Sequence, residues 1–299
     1  MRRSGVRWAI VASLAFATTA VACGSNTTSA ASGPTNSSGP AFETIKPGVL
    51  TVGSCLDYAP FETVKNGTPT GFDVEMTDAI AAKLGYDQAH VQWVKANFNT
   101  IFTAVANGQF DAVAAAVTAT GSLGAKRAQT VSFSDFYYDS RQSLAVNPTK
   151  SPDITSTDQL VSGDTVGVQK GTTGEEWAVT NLQPKGVTIK SYTSATDAFR
   201  DLSGGNITGV INDEPASYGI AATMTDVQVV EPIDTHERYA FAFAPTSTAL
   251  VDAWNTGLQQ VIDDGEYATI YAKYFPGTPV PPAYTPGGAS GSASSSPSA

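Results

Sequence analysis

Short apolar stretches alternate with stretches of helical spacing along most of this chain, and the alternation runs through twice. In the first pass, residues 49–53 read as a strand, and 72–84 as a helix with Met76, Ala79, Ile80 and Leu84 in register and Gly85 as a stop. Residues 91–94 alternate as a strand. Asn99 is the expected cap of a helix over 100–106 that Gly108 ends. Residues 110–116 are almost continuously apolar, as in a strand buried on both faces, and 143–146 form another strand. The second pass has strands over 165–168, 187–189 and 207–211, with helices over 175–181, 196–202 and 215–222. Strands that alternate with helices need crossover connections, so the pattern predicts an α/β protein with parallel sheets, and two passes predict two lobes. A length of 299 residues accommodates that. After Glu237 come a strand over 239–243 and an amphipathic helix carrying Leu250, Trp254, Leu258, Val261 and Ile262. Periodicity alone does not say which lobe this last part joins.

The two ends have a different character. Arg2, Arg3 and Arg7 precede an uncharged run, 8–22, with the charge order of a secretory signal. At about 15 residues it is short of the roughly 20 a membrane span needs. The run ends in Thr19-Ala20-Val21-Ala22-Cys23-Gly24-Ser25, which resembles a bacterial lipoprotein cleavage site, with Ala20 where that pattern favours Leu. The plainer alternative is a secretory signal with an incidental cysteine. The resemblance implies a signal peptide over 1–22, lipidation of Cys23 and attachment to a membrane through the lipid. Residues 24–41 and 277–299 carry no charge and consist largely of small residues and proline, so 23–42 is expected to be a disordered tether and 277–299 a disordered tail.

Composition removes whole classes of function. With 17 basic and 27 acidic residues the net charge is −10, and loss of the three leading arginines makes it about −13. A chain so acidic gains nothing from counterion release, so no nucleic acid is expected as partner. Two Cys and two His leave no multi-ligand zinc site, and neither metal nor cofactor is expected. No Gly-x-Ser-x-Gly, phosphate-loop or His-Glu-x-x-His motif is present. His90 and His236 read as surface residues. Asp213-Glu214 could form a carboxylate pair, but adjacent residues rarely point the same way. No catalytic residue is assigned.

Four segments fall instead at the carboxyl ends of strands, where α/β proteins bind ligands. They are residues 54–61, 115–118 (followed by Lys126-Arg127), 169–174 and 212–215. In the third, Gln169-Lys170-Gly171-Thr172-Thr173-Gly174 leads from a strand into a helix and presents free amides and hydroxyls suited to a small anion; equally, it is a tight turn with a capping threonine. Arg127 has the planar fork that grips a carboxylate, or it is a surface arginine paired with an aspartate. Asp213 could hold an ammonium, cap the helix before Pro215, or both. Tyr58, Phe61 and Phe98 could sandwich a carbon skeleton, although each taken alone is more often core. An arginine, an amide-rich turn and a carboxylate together describe a receptor for a zwitterion.

At this point a family resemblance enters. Residues 48–53, Tyr58-Ala59-Pro60-Phe61-Glu62, Gly71-Phe72-Asp73-Val74-Glu75, Gly108-Gln109-Phe110-Asp111-Ala112-Val113, and the runs 131–138, 166–175 and 263–267 resemble, in order, the family 3 extracellular solute-binding proteins. These are polar amino-acid receptors of bacterial ABC importers, and the likeness covers 43–276. It implies a two-lobed periplasmic-binding-protein type II fold, with two parallel or mixed sheets joined by a two-strand hinge near 141–146 and 238–242. Lobe one would be 43–142 with 240–276, and lobe two 143–239. The implied ligand is a polar amino acid, captured by lobe closure and delivered to ABC permease subunits by a monomeric, extracytoplasmic lipoprotein that is not an enzyme. The alternative is an enzyme on the same fold, such as a cyclohexadienyl-type dehydratase. Carried over by position, Arg127 grips the α-carboxylate with Thr172 or Thr173, Ala116 and Thr118 line that end, Asp213 takes the α-ammonium, and Tyr58 and Phe98 pack the side chain. The loop from Thr118-Ala119-Thr120 to Arg127 is four residues longer than the family's Thr-x-Thr-x-x-Arg, which makes Lys126 and Arg141 rival carboxylate partners. Receptors for lysine-like ligands tend to carry Asp where this chain has Cys55, which argues against a cationic side chain.

Overall fold

The computed structural model describes residues 42–293. The expected signal peptide, 1–22, and the expected tether, 23–42, except for Phe42, lie outside the described residues, as do Cys23 and the last residues, 294–299. In chain order the elements are β1 (Leu50–Ser54), β2 (Thr63–Lys65), β3 (Thr68–Thr70), α1 (Phe72–Lys83), β4 (Val91–Lys95), α2 (Phe98–Ala106), β5 (Ala112–Val113), α3 (Gly121–Arg127) and β6 (Ser132–Val146). They continue with β7 (Thr165–Gln169), α4 (Thr173–Asn181), β8 (Thr188–Tyr192), α5 (Ala195–Ser203), β9 (Gly209–Asp213), α6 (Glu214–Ala221), β10 (Gln228–Phe243), α7 (Thr248–Asp263) and α8 (Glu266–Tyr274). The main sheet runs β4-β1-β5-β10-β6-β9-β7-β8, and β2 and β3 form a separate hairpin.

The β1 pairs with β4 and β5, and the β7 pairs with β8 and β9, are parallel, as the alternation with helices demands. Between the two parallel sets lie β6 and β10, which are antiparallel to each other along most of their length, with register shifts between Ile233 and Glu237 and around Ala240. This long shared ladder joins two sets of strands into one hydrogen-bonded sheet. The sequence shows only the ends of β6 and β10 as strands, because their other halves break the two-residue period: Phe136-Tyr137-Tyr138 are consecutive and followed by the polar run 139–142, and 228–238 carries Pro232 and the polar run 234–238.

Three local expectations are corrected. The cap of α2 is Asn97, whose side chain accepts from the Asn99 amide at 3.0 Å, so the helix begins earlier. The apolar run 110–116 is a strand only at Ala112 and Val113. Beyond them the chain bends, and the Ala116 amide is spent on Asp73 instead of a ladder. The tail expected to be disordered packs as far as it is described: Tyr284 is 1% exposed and donates to Asp139 Oδ1 at 2.9 Å, and the Gly291 carbonyl accepts from Phe136 N at 3.0 Å. One aromatic with a buried slot and a hydrogen-bond partner outweighs the ordering cost of its small neighbours.

After β10 the chain returns to the first half of the molecule. Gly257 of α7 lies so close to Ile80 and Leu84 that a Cβ there would meet Leu84 at 2.7 Å, and Tyr267 of α8 donates to the Tyr137 carbonyl at 2.8 Å. The two halves differ in core. The first is aromatic: Phe61 meets Tyr138 edge-on at 5.1 Å, and Tyr137 stacks on Phe241 at 4.2 Å. The second centres on Leu144, Val146, Val166, Val168, Leu182 and Ile211.

Candidate functional site

Where β1, β5, β7 and β9 end, a cavity is lined by Cys55, Tyr58, Glu62, Phe98, Ala115, Ala116, Thr118, Arg127, Gln169, Thr172, Thr173 and Asp213. All eight of the candidate ligand-binding residues are in this set. The cavity volume is about 20 Å³, close to the room one water needs and far below ordinary ligand pockets of about 300–1,000 Å³. In this geometry the cavity has no room for an organic ligand.

Each side of the cavity is built by local chemistry. Asp73, at the start of α1, is fully buried and accepts from the Ala116 amide at 2.8 Å and the Tyr137 hydroxyl at 2.9 Å. It thereby holds the turn at Ala116, whose φ of 47° is uncommon for a residue with a side chain and is often found at functional sites. Burial pushes the Asp73 carboxyl up to about 7, against the opposing pull of those two hydrogen bonds. On the other side, Gly171 has φ 80° and a Cβ there would meet Asn99 Oδ1 at 3.0 Å, so the turn before α4 needs glycine. Thr172 caps α4, accepting from the Glu175 amide at 3.2 Å, while Thr173 donates to Glu237 Oε2 at 2.8 Å.

Arg127 closes the last turn of α3. The longer loop is thus wound into a helix, and four extra residues amount to about one turn. The guanidinium donates to the Thr118 carbonyl at 2.7 Å and to the Gly171 carbonyl, across the cleft, at 2.9 Å. It lies over Phe98 and Phe102, 5.2 and 4.9 Å from the ring centres. Burial pulls its pKa down to about 10, with Asp213 and Glu237 opposing, so it stays charged at neutral pH. The rivals lie outside the cavity: Lys126 pairs with Glu176 at 3.0 Å, and Arg141 holds Glu214 through two bonds of 2.6 and 2.9 Å.

Asp213 precedes α6, but its side chain makes no capping bond. It accepts from Gln142 Nε2 and, at 2.6 Å, from the Tyr239 hydroxyl. Burial, then the neighbouring Glu237, pushes its carboxyl up to about 7, with the hydrogen bonds working the other way. Tyr58 donates to Asn212 Oδ1 at 3.0 Å, which also crosses the cleft. Phe61 is fully buried in the aromatic core and does not line the cavity. Asp57 faces Lys95 at 3.9 Å, and His90 and His236 are exposed beside Asp87 and Asp234.

Sequence reasoning left Glu62 and the supporting ring of Gln142, Glu237 and Tyr239 without a role. Glu237 is 4% exposed and accepts from Thr118, Thr173, Gln142 and Thr235. No local signal marks these residues. Gln142 and Glu237 sit on the crossing strands, and only the β6–β10 pairing brings them to the cavity.

Two long central strands between two α/β halves, with a buried polar cavity at the crossing, define a type II periplasmic-binding fold. The chain belongs to the bacterial extracellular solute-binding proteins, family 3, whose sequence profile matches residues 50–277. It is 29% identical over 229 residues to a probable histidine-binding protein of Campylobacter jejuni, covering 75% of this chain and 84% of that one. Among solved structures it resembles an ancestral arginine-binding protein bound to arginine, with 30% identity and a TM-score of 0.69, covering 76% of this chain and 98% of the other. It is also similar to an ancestral amino acid-binding protein described as a precursor of cyclohexadienyl dehydratase, with 32% identity and a TM-score of 0.69 over 76% and 96% of the two chains. Among the described residues no helix is long and apolar enough to cross a membrane.

Proposed function

We propose that this protein captures a polar α-amino acid by closing its two halves on it, and delivers the ligand unchanged to the permease subunits of an ABC importer. The observation that carries the reading is one buried guanidinium, Arg127, and one buried carboxylate, Asp213, in the same cavity at the crossing of the two halves. They are the two charges a zwitterion needs. Arg127 and the turn at Thr172-Thr173 take the α-carboxylate, with Ala116 and Thr118 beside them. Asp213 takes the α-ammonium, and Tyr58 and Phe98 flank the side chain. Groups from both halves contact the ligand at once, so binding stabilises closure. The protein acts as a monomer, held at the outer face of the cell membrane by lipid on Cys23.

Thermal unfolding with a panel of amino acids tests the ligand class. A true ligand at about 100 times its Kd adds about 2.7 kcal/mol of stability. No shift with any amino acid would refute the reading, and so would chemical conversion of a ligand that does bind. Mass spectrometry of the membrane-bound protein tests the anchor, where a free Cys23 thiol would count against it.

A further inference from the structure

Glu237 stands where both crossing strands and the two halves meet, and it does not line the cavity. It follows a break in the β6–β10 ladder. Ile233 pairs with Gln142 and Glu237 with Ser140, so residues 234–236 bulge opposite Arg141, with His236 at φ 49°. A bulge bends its strand and re-aims the side chains beside it. The side chain of Glu237 is turned inward and is 4% exposed.

Each of its carboxylate oxygens accepts two hydrogen bonds. Oε1 accepts from Gln142 Nε2 and from the Thr235 hydroxyl, both at 2.8 Å, and so binds the crossing strands to each other. Oε2 accepts from the Thr118 hydroxyl at 2.6 Å and from the Thr173 hydroxyl at 2.8 Å. Thr118 lies on the turn after β5 in the first half, and Thr173 opens α4 in the second. One oxygen atom thus joins the halves. It holds both hydroxyls only while they lie within reach of a single point, and rotation of one half against the other breaks at least one bond.

A hydroxyl has one proton to donate, and Thr118 and Thr173 give theirs to Glu237. Bonds to a carboxylate are roughly twice as strong as those between neutral groups, and burial strengthens them further. The joined arrangement has this interaction and a separated one lacks it, which is the condition for biasing a two-state equilibrium. The pair also bears on the cavity. Both threonines line it, and Thr118 is gripped from its other side by Arg127, which donates to its carbonyl at 2.7 Å.

We propose that Glu237 is a positioning residue of ligand capture: it clasps Thr118 of one half to Thr173 of the other and so favours closure without touching the ligand. This rests on the cleft being an amino-acid site that closes.

Equilibrium dialysis against a mixture of the twenty common L-amino acids, with the retained species measured by mass spectrometry, tests it. Glu237→Gln is nearly isosteric but exchanges one acceptor for a donor. It should retain the same amino acid as the wild type, bound at least about tenfold more weakly. In a Thr118→Val/Thr173→Val background the clasp is already gone, and the same substitution should cost less than about threefold. A residue that only stabilised the fold would cost the same in both backgrounds. Unchanged affinity in folded Glu237→Gln, or an equal loss in both backgrounds, would overturn the proposal and leave the amino-acid reading standing. If Glu237→Gln fails to fold, the threonines decide. Either single substitution breaks the bridge, so the double variant should bind no more than about threefold worse than the weaker single one. A loss equal to the product of the two single losses would overturn the proposal. A wild-type protein that retains no amino acid would remove the reading beneath it as well.

Discussion

The two walls of the cavity reach the same polarity by different means. The wall built on β1 to β5 uses side chains embedded in packing. Arg127 is pressed against Phe98 and Phe102, Tyr58 stands next to an aromatic core, and Asp73 beneath holds the turn that carries Ala116. The wall built on β7 to β9 uses backbone and short hydroxyls: a glycine turn, the first turn of α4 and the carboxylate at the end of β9. Charge placed in a packed wall depends on which side chain is there. Charge placed by a helix start depends on whether the backbone can take its shape. Substitutions on the two sides should therefore fail differently.

The largest effect is expected from Asp213→Ala. It leaves the ligand ammonium without its carboxylate, and breaking a buried pair costs about 3–5 kcal/mol. Amino-acid binding by calorimetry should weaken more than a hundredfold while the unfolding midpoint is retained. Survival of binding within tenfold would move the ammonium role to another carboxylate.

The second concerns pH and sets a packed carboxylate against the cleft. Asp73 and Asp213 are both held at about 7 when folded, while an unfolded aspartate releases its proton near 4. Between those values the folded state binds more protons than the unfolded one, so their contribution to stability is full below about pH 4 and declines as pH rises to about 7. At about 1.4 kcal/mol per pKa unit the decline amounts to a few kcal/mol for each group. In urea unfolding, Asp73→Asn should lose less stability than the wild type between pH 4 and 7. Parallel pH curves would refute this account of Asp73. Bound amino acid should flatten the Asp213 part by pairing it with an ammonium.

On the packed wall, Arg127→Lys keeps the charge but loses the fork, and should weaken binding by about 2–3 kcal/mol, at the lower end for a truncated buried charge pair. Lys126→Ala, outside the cavity, should change affinity by at most a few fold. The reverse order would transfer the carboxylate contact to Lys126. On the backbone wall, Gly171→Ala forces a side chain into left-handed φ and should lower stability by about 1–2 kcal/mol in denaturant titrations. An unchanged midpoint would show that the turn tolerates a Cβ.

The smallest effect is expected at the rim. Ser122 and Lys126 of α3 both reach Glu176 of α4 across the cleft, at 2.7 and 3.0 Å. Exposed pairs of this kind are worth about 0.2–1 kcal/mol. Glu176→Gln should shift affinity by at most a few fold, and the shift should vanish in high salt. A larger, salt-resistant loss would make this contact part of the site proper.

What the sequence determined by itself was the alternation of most strands and helices, though not the β2–β3 hairpin, α3 or α8, and the segments at the strand ends, because burial of one face leaves a period that each element carries locally. The residues now lining the cavity at Tyr58, Ala116, Thr118, Thr172 and Asp213 were legible for that reason. Arg127 was legible as a guanidinium of the right type, but only the winding of 121–127 into α3 decided that it, and not Lys126 or Arg141, faces inward. The apolar run at 110–116 shows the limit of periodicity: it reports burial, and the same burial is compatible with a strand at Ala112 and a bent turn at Ala116 held by Asp73. Tyr284 looked like part of a low-complexity tail until β6 and α8 supplied its slot and its partner Asp139. The difference between Phe61 and Glu62, neighbours in one motif, was settled in three dimensions. One side chain completes a core and the other is left facing the cavity without a partner. Whether a buried polar group is satisfied depends on residues distant in the chain, and that is why only the tertiary structure could decide it.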